Sequence, residues 1–227
     1  MTVDGQHGGP TGAGAAPHKK EVPPWRLLAT LGTAGAMAGF LIVFVFVATE
    51  PAITEHKAEV LRLAIQEVLK GPAGFDTLYV HDGTLQGQLP PGMDAEQVEQ
   101  IYVGYAEDGS KIGFAIASAE PGFQDIIRLI FGYDSNTGTV LGMKVLESKE
   151  TPGLGDKIEK DSSFVGQFDG ASIPLIGVNA RRRTGDEHEI DMITGVTISS
   201  RAVVRIINNS LERLGPLIEA YNGGGSQ

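Results

Sequence analysis

The stretch IYVGYAEDGSKIGFAIAS, residues 101–118, gives the clearest indication of how this chain folds. Its two halves, 101–106 and 111–118, are rich in apolar, β-branched and aromatic residues, and the turn-forming sequence Glu-Asp-Gly-Ser separates them. Runs of this length on either side of a tight turn are typical of antiparallel strands. The sequence therefore predicts two adjacent antiparallel strands here.

Further strand signals follow in the chain. Residues 125–133 and 139–147 are two more such runs, separated by Asp-Ser-Asn-Thr-Gly. The four runs together predict an antiparallel meander. A final hairpin is predicted from strands at 178–183 and 187–193, with its turn at residues 184–186.

Helical patterns flank these strands. Apolar residues recur near helical spacing over residues 53–69 and end at the stop signal Gly71-Pro72. A second helix is marked by Ala202, Val203, Ile206, Ile207, Leu211, Leu214 and Leu217. We therefore predict an α+β domain with an antiparallel sheet and flanking helices.

A charge-free segment precedes this domain. Residues 27–49 contain no charged side chain, and as a helix at about 1.5 Å per residue the run would be about 34 Å long. That length crosses a hydrocarbon core of about 30 Å. A cleaved signal peptide and a buried core helix are the alternatives, but the run is longer than a signal's apolar region of about 7–15 residues. An uncleaved transmembrane helix is favoured.

The flanks of the segment predict its orientation. Cations precede it and mainly acidic residues follow it, at Lys19, Lys20 and Arg26 against Glu50, Glu55 and Glu59. The positive-inside bias places the N-terminus in the cytoplasm. We thus expect a single-pass protein of the cell inner membrane with an extracytoplasmic domain.

These observations give a domain plan for the whole chain. Residues 1–26 are rich in Gly, Pro and polar residues and are expected to be a disordered cytoplasmic tail. The transmembrane helix at 27–49 leads into a linker helix at 50–70. The main domain covers 71–222, and a flexible tail covers 223–227.

Composition excludes several classes of function. The formal net charge of −10 and the pI near 4.9 argue against a nucleic-acid-binding surface, which needs clustered cations. The absence of cysteine excludes disulfides and iron–sulfur clusters in this chain, and the scattered histidines show no metal-ligand spacing. Redox chemistry would therefore require an organic cofactor.

The segment Asp-Met-Ile-Thr-Gly-Val-Thr, from Asp191 to Thr197, precedes the second helical pattern. Gly195 removes a side chain beside Thr197, whose hydroxyl then lies near a helix N-terminus that favours a phosphate's negative charge. An ordinary helix cap is the alternative, since Thr and Ser are common there.

A second motif, Glu-Thr-Pro-Gly-Leu-Gly-Asp, covers residues 150–156. Pro152 restricts one backbone dihedral, while Gly153 and Gly155 permit a tight curve. Backbone groups of this loop could then approach a flat ring closely. Leu154 could cover an apolar face of such a ring. A plain surface turn is the alternative for this motif taken alone.

Together the two motifs resemble the G subunit of Rnf complexes and its relative, the C subunit of sodium-pumping NADH:quinone reductase. The family patterns are Asp-x-x-(Ser/Thr)-Gly-Ala-(Thr/Ser) and Glu-Thr-Pro-Gly-Leu-Gly-Asp-Lys-Ile. The chain departs from them at Val196, where the family usually has Ala, and at Ser148, where it commonly has His. The Gly122-Phe123 turn also resembles the family.

The resemblance implies a redox subunit of an ion-translocating oxidoreductase that carries FMN as a covalent phosphoester on Thr197. It implies no catalytic side chain and no metal. The cofactor-binding residues carried over from the motifs are Thr197, Thr194, Gly195, Asp191, Glu150, Thr151, Gly153, Leu154 and Gly155.

The implied partners are the other membrane subunits of the complex, a flavin transferase for maturation and the lipid bilayer, with no nucleic acid. The alternatives are a stand-alone flavinylated carrier, a C-type subunit of the quinone reductase and an anchored scaffold without flavin. The Arg181-Arg182-Arg183 run could attract an anionic partner or the FMN phosphate, but a solvated hairpin strand is favoured because acidic residues surround it.

Overall fold

A computed structural model of the protein describes residues 23–224, and the chain divides into two compact units after Thr54. Residues 1–22 and 225–227 are not described, so most of the predicted N-terminal tail and three of the five residues of the predicted C-terminal tail lie outside the described residues.

Helix α1, Pro24–Val68, includes the predicted transmembrane segment. Within residues 23–224 it is the one helix long and apolar enough to cross a membrane. Its apolar side chains are exposed, with Leu31 at 75% and Phe40 at 73%. This exposure excludes the core-helix alternative and is consistent with a membrane anchor.

The second unit is built on a six-stranded antiparallel sheet. The strand order is β2-β1-β3-β4-β5-β6. The strands are β1 (Gly74–His81), β2 (Thr84–Gln86), β3 (Gln100–Tyr105), β4 (Lys111–Pro121), β5 (Ile126–Asp134) and β6 (Thr139–Glu147). Strands β3 to β6 confirm the predicted meander.

Strands β1 and β2 were not predicted. Strand β1 adds to the edge of the meander by pairing with β3, from Gly74 opposite Tyr105 to Tyr79 opposite Gln100. Its sequence, GFDTLYVH, alternates only weakly, and Leu78 is its one buried residue. Pairing with an existing sheet edge therefore forms this strand where the local pattern is weak.

The two faces of the sheet are covered by different helices. Helix α4, Thr197–Gly224, covers one face, where it packs on alternate strand residues such as Phe114 and Ile116. The intervening Ala115 faces the other side, where it packs with Ile65 and other residues at the end of α1. The alternation of side chains along a strand thus produces two apolar layers on one sheet.

Glycine allows α1 to approach the sheet closely. A Cβ atom at Gly132 of β5 would overlap the carbonyl of Val68, and one at Gly104 of β3 would lie 2.6 Å from Leu69 Cδ1. The Val68 carbonyl is part of the backbone and cannot easily move, so Gly132 must lack a side chain, whereas Leu69 Cδ1 is the end of a flexible side chain that can shift.

The predicted final hairpin is wrong. Strands β7 (Ile176–Asn179) and β8 (Glu189–Met192) are parallel. Arg181 and Arg182 lie in a 3-10 turn, Ala180–Arg182, and Arg183 directly follows it, so the arginine run is not in a strand. The Glu189 carboxylate accepts the N–H groups of Thr184 and Gly185 at 2.7 and 3.2 Å. The predicted turn thus folds onto Glu189, the first residue of β8, and β8 then runs in the same direction as β7.

Two short helices complete this region, α2 (Lys157–Lys160) and α3 (Ser162–Val165). They follow the 150–156 motif and bury Ile158 and Phe164 in the core shared with α4. The motif is therefore held between strand β6 and a packed segment.

Candidate functional site

The turn before α4 presents the hydroxyl of Thr197 at the surface. The Val196 N–H donates to the Ile193 carbonyl at 3.0 Å, and Gly195 within this turn has a φ of 85°. Such a left-handed value favours glycine. Thr197 is the first residue of α4 and is exposed, whereas Val196 is 5% exposed and belongs to the core. An accessible hydroxyl therefore lies at a helix N-terminus.

The loop that follows β6 is tightly folded beside this helix start. The Thr151 carbonyl accepts the N–H groups of Leu154 and Gly155 at 3.1 and 2.8 Å, and Gly153 has a φ of 76°. The Thr151 hydroxyl donates to Gln124 Oε1 at 2.9 Å. This last bond ties the loop to the turn between β4 and β5.

A cavity of about 270 Å³ lies where the loop, the β4–β5 turn and the start of α4 meet. It brings together the following predicted cofactor-binding residues: Glu150, Thr151, Leu154, Gly155, Gly195 and Thr197. These residues come from two motifs that are distant in the sequence. The structure therefore places the two motifs around one site.

The rim of the cavity is apolar. Phe123 is 66% exposed, Ile198 52% and Leu154 47%, and all three line the cavity. Sequence reasoning missed Phe123, Val196, Ile198 and Ser199 as site residues. The sequence did contain a signal for Phe123. This aromatic residue directly follows the Pro121-Gly122 break, and a turn is a place where a large apolar side chain is not expected to be buried in the core.

Glu150 is a buried carboxylate in the wall of the cavity. Its Oε1 accepts the N–H groups of Phe123 and Gln124 at 2.9 and 3.0 Å, and its Oε2 accepts the Ser199 hydroxyl at 2.8 Å. Burial favours the neutral acid, but the hydrogen bonds from Gln124, Ser199 and Phe123 outweigh it and hold the pKa of Glu150 below its usual range. Glu150 is therefore ionised at neutral pH.

Three predicted site residues, Asp191, Thr194 and Gly153, do not line the cavity. Asp191 has its own partners: its N–H donates to Gln167 Oε1 at 2.7 Å, and its Oδ2 lies 3.2 Å from Arg183 Nη1. Its Oδ1 is buried without a hydrogen-bond partner among residues 23–224. The first residue of the motif thus contacts the β7–β8 region and not the cavity.

Comparison with known proteins places this geometry in a family. The model of the FMN-binding domain family matches residues 122–212, a range that contains every residue lining the cavity. The G subunit of the ion-translocating oxidoreductase complex of Vibrio vulnificus is 33% identical over 166 residues, which cover 72% of this chain and 76% of the relative. The chain belongs to the family of G subunits of ion-translocating oxidoreductase complexes.

The similarity to this G-subunit family is not confined to the cavity-bearing domain. The G subunit of Methanosarcina acetivorans is 27% identical over 190 residues, which cover 82% of this chain and 92% of that protein. This match is longer than the 122–212 range of the FMN-binding domain. The relationship therefore extends over most of the chain.

Solved structures show the same fold at lower sequence identity. NqrC of Shewanella oneidensis gives a TM-score of 0.56 at 16% identity and covers 68% of this chain and 91% of that one. The C subunit of the Na⁺-translocating NADH-quinone reductase of Parabacteroides distasonis gives 0.51 at 22% identity, with 64% and 77% covered. This member of the G-subunit family shares the architecture of these proteins.

Proposed function

We propose that the protein carries one FMN through a phosphoester on Thr197 and passes electrons as the G subunit of a membrane-bound, ion-translocating Rnf-type complex. The observation that carries the proposal is the exposed Thr197 hydroxyl, which lies at the edge of a cavity inside the FMN-binding domain. Both motifs that suggest a flavin contribute to this one cavity.

The attachment requires an activated flavin phosphate. The bond between Thr197 Oγ1 and phosphorus forms, the hydroxyl loses its proton, and the phosphoanhydride of a flavin dinucleotide such as FAD breaks, with AMP as the leaving group. No other nucleophile is needed in this chain, and a flavin transferase would bring donor and acceptor together. Exposure of Thr197 supports this route, since a second protein must reach the hydroxyl.

The position of Thr197 suits the negative charge of a phosphodiester. The first N–H groups of α4 have no helical acceptor, and the helix dipole is positive at this end. Arg201 lies one turn further along α4, on the same side as Thr197, and is exposed without an ion pair in the described part of the chain. Side chains on a helix lean toward its N-terminus, so the attachment site lies within reach of an extended guanidinium at this position.

The cavity fits part of a flavin ring. Its volume of about 270 Å³ is slightly below the range of about 300–1,000 Å³ that encloses a whole ligand. Phe123, Leu154 and Ile198 offer apolar surface to the faces of a flat ring. Bound FMN supplies the acceptance and release of electrons, and the chain's residues hold and orient the ring with part of it open to a partner.

The same proposal places the protein in the cell inner membrane with the domain outside the cytoplasm. The cations before the apolar segment and the acidic residues after it support this orientation. The apolar helix would contact the lipid bilayer directly. Other membrane subunits of the complex would be its partners.

Substitution of Thr197 tests the attachment. Wild-type protein, Thr197→Ala and Thr194→Ala are each produced with a flavin transferase and separated on a denaturing gel. We expect flavin fluorescence in the wild type and none in Thr197→Ala. Thr194→Ala should retain at least part of the fluorescence, because Thr194 does not line the cavity. Fluorescence in Thr197→Ala equal to the wild type would refute attachment at this residue.

Two other functions share the cofactor. One is a C-type subunit of a quinone reductase, whose solved relatives share the fold of this chain. The other is a stand-alone carrier, which would have no other membrane subunits as partners. Purification from native membranes separates them. Co-purification of Rnf-type membrane subunits is expected, whereas quinone reductase subunits or the isolated chain would identify the alternatives.

A further inference from the structure

We propose that Glu150 is a positioning residue that locks the start of helix α4 to the two loops of the cavity, and that it is not a ligand of the cofactor. The inference rests on the proposed function, because it concerns the placement of Thr197. It assigns a different role to a residue that the sequence motif suggests as a direct contact.

The hydrogen bonds of Glu150 join three separate segments. One carboxylate oxygen binds the β4–β5 turn through the N–H groups of Phe123 and Gln124, at 2.9 and 3.0 Å. The other binds the Ser199 hydroxyl at 2.8 Å. Ser199 is two residues beyond Thr197 in the first turn of α4. A single side chain thus connects the 150–156 motif, the turn and the helix that bears the hydroxyl.

The carboxylate occupies a socket that glycine creates. A Cβ atom at Gly122 would overlap Glu150 Oε1, and one at Gly155 would lie 2.7 Å from Glu150 Cβ and 2.9 Å from its Oε2. Gly155 has an ordinary negative φ, so its lack of a side chain serves space and not backbone conformation. The absence of a side chain at both glycines therefore makes room for Glu150.

The contacts leave little of the carboxylate for a ligand. Glu150 is 5% exposed and Ser199 is 2% exposed. Each oxygen already accepts at least one hydrogen bond from the protein, and Oε1 accepts two. A carboxylate has about four acceptor positions in all. Its negative charge, however, remains in the wall of the cavity and acts on any group bound there.

Three substitutions separate the effect of the hydrogen bonds that link Glu150 to the turn and to α4 from the effect of the negative charge of its carboxylate. Ser199→Ala removes only the bond to α4, and Glu150→Ala removes both bonds and charge. Glu150→Gln removes the charge but keeps the links, because the amide oxygen can accept from the turn and the amide N–H can donate to Ser199. Ser210→Ala is the matched control, since Ser210 is also a buried serine of α4 and binds only the Ile206 carbonyl, at 2.7 Å.

The experiment measures two quantities on full-length protein in detergent whose folding is verified by circular dichroism. The first is the initial rate of FMN transfer from FAD by a flavin transferase. The second is the midpoint potential of the attached flavin. A residue that only stabilises the fold would leave both unchanged in the folded variants.

The expected results follow from the geometry. Ser199→Ala and Glu150→Ala slow FMN transfer about fivefold or more, the factor that corresponds to about 1 kcal/mol for one lost hydrogen bond. Ser210→Ala keeps the wild-type rate, and Glu150→Gln slows transfer less than Glu150→Ala does, because the amide preserves the hydrogen-bonded links. Glu150→Gln shifts the potential upward, because a nearby negative charge opposes the reduction of the flavin.

Wild-type rates in folded Ser199→Ala and Glu150→Ala would overturn the proposal. A Glu150→Gln variant as slow as Glu150→Ala and with an unchanged potential would also overturn it, since neither the link nor the charge would then behave as described. Failure of the proposed function has a different signature: wild-type protein would then acquire no flavin at Thr197 at all.

Discussion

Replacement of Gly155 by alanine probes how tightly the cavity wall is packed. The new Cβ would lie 2.7 Å from Glu150 Cβ, 2.9 Å from its Oε2 and 3.1 Å from the Thr151 nitrogen. Two of these neighbours are close to the backbone, so the overlap cannot be relieved by rotation of a distant atom. Forcing extra atoms into a packed site typically costs about 1–3 kcal/mol. For a domain of this size each kcal/mol lowers the melting temperature by about 2–4 °C.

Gly166→Ala is the control for this prediction. Gly166 has a helical φ of −65°, and no atom lies within 4 Å of its hypothetical Cβ. The substitution should be neutral or stabilising by up to about 1 kcal/mol. Thermal unfolding of both variants in detergent is followed by circular dichroism. If Gly155→Ala melts at the same temperature as Gly166→Ala, the socket around Glu150 is not packed as described.

Further predictions concern pH, the ring contacts and topology. The depressed pKa of Glu150 stabilises the fold above the ordinary value of 4.5 and ceases to do so as the pH falls through the depressed value. Denaturant titrations should therefore show Glu150→Gln about 1 kcal/mol less stable than the wild type near neutral pH, because its hydrogen bonds lose their charge, with the gap closing in acid; a gap independent of pH would contradict this. Leu154→Ser should retain covalent FMN but change its midpoint potential, measured by spectroelectrochemistry, and an unchanged potential would show that Leu154 does not contact the ring. Alkaline phosphatase fused at Gln227 should be active, and fluorescence of a cytoplasm-only reporter there would reverse the topology.

The sequence predicted the centre of the sheet well because its signals are local. Turn-forming residues and alternating apolar runs specify strands β3 to β6 without reference to the rest of the chain. Strand β1 depends on pairing with β3, and β7 pairs with β8 in parallel. Neither pairing is visible in a short window of sequence, because a window does not show which segment will lie beside a strand or in which direction.

The candidate site also has parts that the local sequence predicts and parts that depend on residues elsewhere in the chain. The motifs predicted Thr197 and the 150–156 loop as parts of one site, and the structure places residues of both around one cavity. The motif residue Asp191 instead meets Arg183 and Gln167, because a strand directs it away from the cavity. The role of Glu150 depends on donors from a turn and a helix elsewhere in the chain, which spacing alone cannot reveal.

Attachment of FMN at Thr197 is tested most directly by tandem mass spectrometry of one tryptic peptide from protein purified from native membranes. Cleavage after Arg183 and Arg201 releases residues 184–201, which contain Thr197 and the competing hydroxyls of Thr184, Thr194, Ser199 and Ser200. The peptide is expected to be heavier by one FMN less one water, with the added mass on Thr197. An unmodified peptide, or the added mass on another of these residues, would contradict it.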